Sequence, residues 1–227
     1  MKNYFEKEGL TITEKQQAQL VAFRELLLEY NQKFNLTSIT DEEEITIKHF
    51  VDSVMGYKHL PKIGKVIDVG SGAGFPAIPL IITGDGTLEF TLLDSLNKRV
   101  NFLNEVISRL ALPNATAIHS RIEDQAKNYR ESYDCVIARA VAPLNVLCEY
   151  ALPLLKVGGT LVAYKGDAEE EIINAKKALS ILGGKVKMVD EYILNGEYKR
   201  SFVIVEKVKP TPIKYPRGQN KPRNSPL

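Results

Sequence analysis

Tryptophan is absent from the chain and cysteine occurs only twice, as Cys135 and Cys148. The two thiols form no CxxC pattern and sit in apolar surroundings, so they read as buried groups of a reducing compartment rather than as a disulfide framework. Asn35-Leu36-Thr37 is then a chance match to a glycosylation sequon. Long apolar runs are missing as well. The opening MKNYFEKEGLTITEK offers no core for a signal peptide, and no later run approaches the length of a membrane span. These absences exclude a secreted or membrane-spanning class and predict a cytoplasmic protein; neither a metal site nor a membrane partner is expected.

What is present is an ordinary globular balance, 44% hydrophobic and 26% charged, over 227 residues. That length suits one sizeable α/β core with an appendage, and a monomer is the expected state. The charge is uneven. From Lys209 onward the chain carries Lys209, Lys214, Arg217, Lys221 and Arg223 and no acid, so removing that +5 from the net +2 leaves the remainder near −3. A basic, proline-rich tail on a mildly acidic body suits an anionic partner, phosphate above all.

Apolar residues Leu20, Phe23, Leu27, Tyr30 and Phe34 recur at spacings of three and four, which predicts a helix from Thr13 to about Phe34, with Thr13 and Gln16 as a capping box. A second helix is predicted from Thr40, capped with Glu43, carrying Ile47, Phe50, Val51, Val54 and Met55 on one side and closed by Pro61. Beyond it, β-branched runs alternate with helical patterns, the mark of a parallel sheet flanked by helices. Strands are predicted at 65–69, 90–93, 116–119, 135–138 and 159–164, and helices at 98–110 and 169–182. Two final runs, 185–193 and 201–206, flank Asn195-Gly196 and read as an antiparallel pair. The five prolines of the tail exclude a continuous helix or a central strand there.

The chemistry is concentrated in Val66-Ile67-Asp68-Val69-Gly70-Ser71-Gly72-Ala73-Gly74-Phe75-Pro76. An apolar strand runs into three alternate glycines and then into a helix that Pro76 can open. Glycines let the chain turn sharply and let backbone approach a ligand. A dinucleotide fingerprint needs a glycine where Phe75 stands, so the pattern is GxGxG and favours S-adenosylmethionine over NAD. Asp68 is placed for the amine of such a cofactor, and Asp94, with Ser95 beside it at the end of the second strand, for its ribose hydroxyls. Gly70, Gly72, Gly74 and Phe75 complete the turn.

Residues at the other strand ends narrow the reaction. Arg121, Arg139 and Lys165 follow strands three, four and five, and no NPPY-type tetrapeptide for amino-group methylation follows strand four. No cysteine is placed to attack a pyrimidine carbon. Attack by a basic nitrogen lone pair such as guanine N7 needs no general base, which leaves Arg139 and Lys165 as positioning groups that hold phosphate or the cofactor carboxylate. On the residues alone, three readings stay open: an RNA methyltransferase, an NAD-dependent oxidoreductase on the same scaffold, and a non-catalytic RNA-binding or assembly factor.

The chain resembles the small-subunit ribosomal RNA guanine-N7 methyltransferases, the RsmG or glucose-inhibited division protein B family, over nearly its whole length. The resemblance is carried by NLTSI (35–39), His49-Phe50 with Asp52-Ser53, DVGSGAGFPAIPL (68–80), LLDSLNKRVNFL (92–103), SRIED (120–124), ARAVAPL from Ala138, AYKG (163–166) and KYPRG (214–218). It implies a Rossmann-like methyltransferase fold: α/β, with a seven-stranded, mostly parallel sheet whose last strand is antiparallel. A helical cap would cover 1–61, the methyltransferase domain 62–208, and the tail 209–227. It implies a guanine near the decoding site as substrate, in naked or partly assembled small-subunit RNA. Cofactor contacts are implied at Gly70, Phe75, Ile122, Glu123 and Arg139, with Ile122 and Glu123 near the adenine. Arg121, Lys165, Arg200, Lys214, Tyr215 and Arg217 are the candidates for RNA, with Tyr215 as a stacking ring. One departure is Ala77, where the family commonly has glycine; its methyl is expected to crowd the pocket mouth slightly.

Overall fold

A computed structural model describes all 227 residues. Thr13 opens the first long helix as the spacing predicts. Its hydroxyl accepts from the Gln16 amide, and the Gln16 side chain accepts in return from the Thr13 amide. A cap of this kind is worth about 1 kcal/mol. A short helix α1 (Lys2–Lys7) precedes this helix, α2 (Glu14–Phe34), which ends on Asn35 in the left-handed region. The next helical stretch, α3, starts one place later than the Thr40 cap predicts. Asp41 is the N-cap, accepting from the Glu44 amide at 2.9 Å, because a carboxylate is the better acceptor for exposed amides. α3 runs as α-helix over Glu42–Glu44, widens to a π-helix over Ile45–Val51, and returns to α-helix over Asp52–Met55. A 3₁₀ turn at Gly56–His59 closes it ahead of Pro61.

The sheet contains β1 (Gly64–Val69), β2 (Leu88–Asp94), β3 (Ala115–His119), β4 (Tyr133–Arg139), β5 (Leu155–Lys165), β6 (Gly184–Leu194) and β7 (Tyr198–Lys207), in the order 3-2-1-4-5-7-6. The first five are parallel; β7 lies antiparallel between β5 and β6. The β6–β7 hairpin turns over Asn195-Gly196-Glu197, with Asn195 and Gly196 both at positive φ. Connecting helices are α4 (Ala77–Thr83), α5 (Asn97–Arg109), α6 (Ile122–Asn128), α7 (Leu144–Ala151) and α8 (Glu169–Leu182).

Helices cover both faces, which is why the parallel strands read as unbroken apolar runs. On one face α2 and α3 share a core with α4 and α5: Phe23 stacks on Phe50 at 5.6 Å and on Phe102 at 6.5 Å, beside Val66, Phe90 and Leu92. Ala77 is fully buried in this core and lines no cavity, so its methyl does not crowd a pocket mouth as the sequence suggested. The other face packs Ala126, Leu147 and Ala175 from α6, α7 and α8.

The tail after β7 is docked. Arg130 donates to the carbonyls of Thr211, Pro212 and Tyr215, and Arg217 pairs through both ends of its guanidinium with the buried Glu149 of α7. A last short helix, α9 (Lys221–Asn224), lies against α7 with Pro222 buried beneath it.

Candidate active site

Strand order reverses between β1 and β4, and ligands of open α/β sheets collect beyond the carboxyl ends of the strands at such a point. There β2 delivers Asp94, which is 3% exposed. Its Oδ2 accepts from the Gly72 amide at 2.9 Å and from Arg99 at 3.4 Å, and its Oδ1 accepts from the Leu96 amide at 2.9 Å. Asp94 thus ties the glycine turn to the start of α5. Beside it opens a crevice of about 300 Å³ lined by Gly70, Asp94, Ser95, Ile122, Ala140 and Val141 among others. Gly70 has φ +76°, and a Cβ there would stand 3.0 Å from Val141 Cγ2, so only glycine leaves this wall in place.

Asp68 lies under the turn rather than on the crevice wall, fully buried, with neither carboxylate oxygen accepting a hydrogen bond. Burial pushes its pKa up to about 8. A carboxyl group left so is costly unless a donor reaches it from outside the chain.

A second cavity, of about 640 Å³, adjoins the first and shares Ala140, Val141 and Arg223 with it. Its walls come from distant elements: Lys48, His49 and Asp52 of α3, Arg139 of β4, Tyr164 and Lys165 of β5, and Tyr192 and Arg200 of the hairpin. Asp52 is the hub. Its Oδ2 accepts from Arg139 at 3.0 Å, and its Oδ1 accepts from the Tyr192 hydroxyl at 3.0 Å and from Arg200 at 3.2 Å. Arg139 also donates to His49 Nδ1 at 3.2 Å, lies over the Phe75 ring, and donates to the Lys48 carbonyl. His49 stacks on Phe75 at 4.4 Å, and its Nε2 faces the Thr37 hydroxyl at 3.0 Å. With Nδ1 accepting from Arg139, the proton sits on Nε2. Burial, helped by the Arg139 charge, lowers the His49 pKa to about 3. Burial likewise raises the Tyr164 and Tyr192 hydroxyls above their ordinary range. Lys165 donates to Glu171 at 2.6 Å and to the Ala142 carbonyl at 2.8 Å.

Of the cofactor candidates read from the sequence, Gly70, Asp94, Ser95 and Ile122 line the crevice. Gly72 meets Asp94, while Gly74 is a packing glycine whose Cβ would stand 2.7 Å from Ile78 Cγ1. Phe75 and Glu123 are buried off the crevice wall, and Arg139 faces the second cavity. Of the RNA candidates, Lys165 and Arg200 line that cavity, and Arg121 and Lys214 are exposed outside it. Two candidates need correction. The Tyr215 ring is 6% exposed, packed in the core of the second sheet face, so it offers no open stacking surface; Arg217 is committed to Glu149. A basic tail reads as solvated only while its buried partners, Glu149 and the α7 face, are out of view.

Sequence reasoning gave no role of their own to His49, Asp52, Tyr192 and Arg223. The Asn35–Ile39 and His49–Ser53 elements were the available signal for the first two: Thr37 and Asp52 sit on either side of the His49–Arg139 contact.

The sequence matches the family described as rRNA small subunit methyltransferase G over residues 16–202. This chain belongs to that family. It is 47% identical to the ribosomal RNA small subunit methyltransferase G of Acetivibrio thermocellus, over 96% of this chain and 92% of that protein. It is 46% identical to the protein of the same description from Alkaliphilus metalliredigens, over 100% of this chain and 97% of that one. Solved structures with the same fold include a SAM-dependent methyltransferase from Aquifex aeolicus, with TM-score 0.58, 19% identity, and 77% and 97% of the two chains covered. An O-methyltransferase from Bacillus cereus in complex with SAH gives TM-score 0.58 at 14% identity, covering 82% and 91%. Family membership draws the otherwise separate motifs into one site: the glycine turn, NLTSI and the β4 arginine all border the paired cavities or brace their walls.

The residues of the crevice fit S-adenosylmethionine. Asp94 and Ser95 present oxygen acceptors suited to ribose hydroxyls, Ile122 gives an apolar edge for a base, and the Asp68 carboxyl, with no partner in the chain, lies beneath the same turn.

Proposed function

We propose that this chain methylates N7 of a guanine in a loop of small-subunit ribosomal RNA near the decoding site, with S-adenosylmethionine as donor, as a cytoplasmic monomer. When bound, the donor supplies a methyl group activated on a positively charged sulfur. The chain's residues hold and orient the two partners. Asp94, Ser95 and the glycine turn, with Asp68 beneath it, form the donor side, and the Asp52-centred ring of Arg139, Tyr192 and Arg200 shapes the acceptor side.

The observation that carries this reading is the absence of a usable proton acceptor in the second cavity. Nδ1 of His49 is spent on Arg139 and its pKa is near 3; Asp52 and Glu171 are ion-paired; both tyrosine hydroxyls are held protonated. Such a cavity suits a nucleophile that carries no proton, and guanine N7 has a lone pair and none to lose. The work left to the site is alignment, which alone can account for several kcal/mol of barrier. N7 is reached most readily where the base is unstacked, consistent with a loop substrate and with shape and phosphate contacts leading recognition.

The test is incubation of the chain with methyl-tritiated S-adenosylmethionine and small subunits from cells lacking it, followed by nucleoside analysis. Label is expected in 7-methylguanosine at one position. Label in protein only, or on another atom of the RNA, overturns the reading.

A further inference from the structure

The cavity walls carry six cations, and five of them are ion-paired, on four carboxylates, because Asp52 serves two arginines. Lys48 pairs with Glu44, Arg99 with Asp94, Arg139 and Arg200 with Asp52, and Lys165 with Glu171. Arg223 of α9 is the sixth and has no carboxylate partner. Its Nη2 donates to the Val141 carbonyl at 2.8 Å and its guanidinium also faces the Tyr150 hydroxyl, both neutral groups, so no carboxylate offsets its charge.

Its position is distinctive too. Arg223 lines the donor crevice and the acceptor cavity, and also a third cavity of about 460 Å³ formed with Pro143, Asn145, Asn174, Leu227 and Glu171, whose charge is taken up by Lys165. The residue it touches, Val141, belongs to the wall that the first two cavities share. α9 is held there by the Arg217–Glu149 pair and by buried Pro222, so the guanidinium is presented from a docked element.

We propose that Arg223 binds the phosphodiester next to the target nucleotide, with the target base in the acceptor cavity and the flanking nucleotide in the third cavity. This rests on the reading of the chain as an RNA methyltransferase. An unneutralised, forked cation at the meeting of three cavities matches a phosphate oxygen pair better than it matches a neutral group. Arg223 borders two cavities besides the donor crevice, which favours RNA phosphate over the donor's own carboxylate. Asn145 and Asn174 would border the flanking base.

The test compares wild type, Arg223→Ala and Arg223→Lys on small subunits and on S-adenosylmethionine. For Arg223→Ala, KM for subunits is expected to rise about tenfold, and the slope of log affinity against log salt to shrink by about one, as for loss of one phosphate contact. Its calorimetric Kd for S-adenosylmethionine should stay unchanged. Arg223→Lys should restore the salt slope and part of the KM. Unaltered KM and salt slope in Arg223→Ala overturn the proposal, as does a weakened donor Kd with unchanged RNA affinity, which would assign the anion to the donor carboxylate. A wild-type chain that binds S-adenosylmethionine but labels no RNA would sink the methyltransferase reading, and this proposal with it.

Discussion

Asp52 serves three donors with two oxygens, and its neighbour His49 is held neutral between an arginine and a threonine. The second fact has a thermodynamic consequence. An unfolded histidine takes up a proton below about pH 6.5, whereas His49 in the fold does so only near 3. Between those values the unfolded chain binds more protons, so this group's contribution makes stability fall as pH falls, by at most about 1.4 kcal/mol per unit. His49→Gln should therefore lose less stability than wild type between pH 6.5 and 4 in urea unfolding; parallel pH curves would disprove the buried neutral state. At this scale the donor side was legible, and of the acceptor side only its cations Arg139, Lys165 and Arg200 were. Gly70, Asp94 and Ser95 are named by their place at strand ends, a local property, and Ile122 by the family resemblance. Asp52 and Tyr192 lie 140 residues apart, and no local pattern brings them together.

Elements show the same division. The capping box of α2, the hairpin turn and the seven strands follow from periodicity and turn chemistry, which depend on neighbours in sequence. The π-helical stretch of α3 is not written that way. It carries Lys48 and His49, and it is stabilised by contacts that exist only when α3 meets β4, such as Arg139 donating to the Lys48 carbonyl. The tail is a second case: a basic, proline-rich segment becomes structural because Glu149 waits, 1% exposed, on α7. Arg217→Ala should leave that carboxylate without its partner, costing about 3 kcal/mol in urea unfolding, and should speed tryptic cleavage after Lys214. A midpoint unchanged from wild type would mean the tail is not anchored there.

In the whole molecule, the N-terminal helices meet the sheet domain through the Phe23–Phe50–Phe75–Phe102 cluster, through Asp52, and through the Tyr164–Ser53 and His59–Asp190 contacts. The aromatic contact is broad and tolerant; the one through Asp52 sets the geometry of the acceptor wall. If Asp52 and Arg139 act as one unit, then Asp52→Ala and Arg139→Ala should cost less together than the sum of the single changes. A coupling of about 1–3 kcal/mol is expected from a double-mutant cycle in chemical denaturation. Additive effects would show that the Asp52–Arg139 pair does not act as a unit in holding the helical cap.

The order of strands and helices, the glycine turn and the family all follow from the chain read linearly, because each rests on spacing within a few residues or on long stretches of matched sequence. The meeting of two cavities at Ala140–Val141, the pairing of the acceptor-side charges, and the one cavity arginine without a carboxylate partner were decided by tertiary structure. Whether a charge is spent or available depends on what packs against it, and its partner can come from anywhere in the chain.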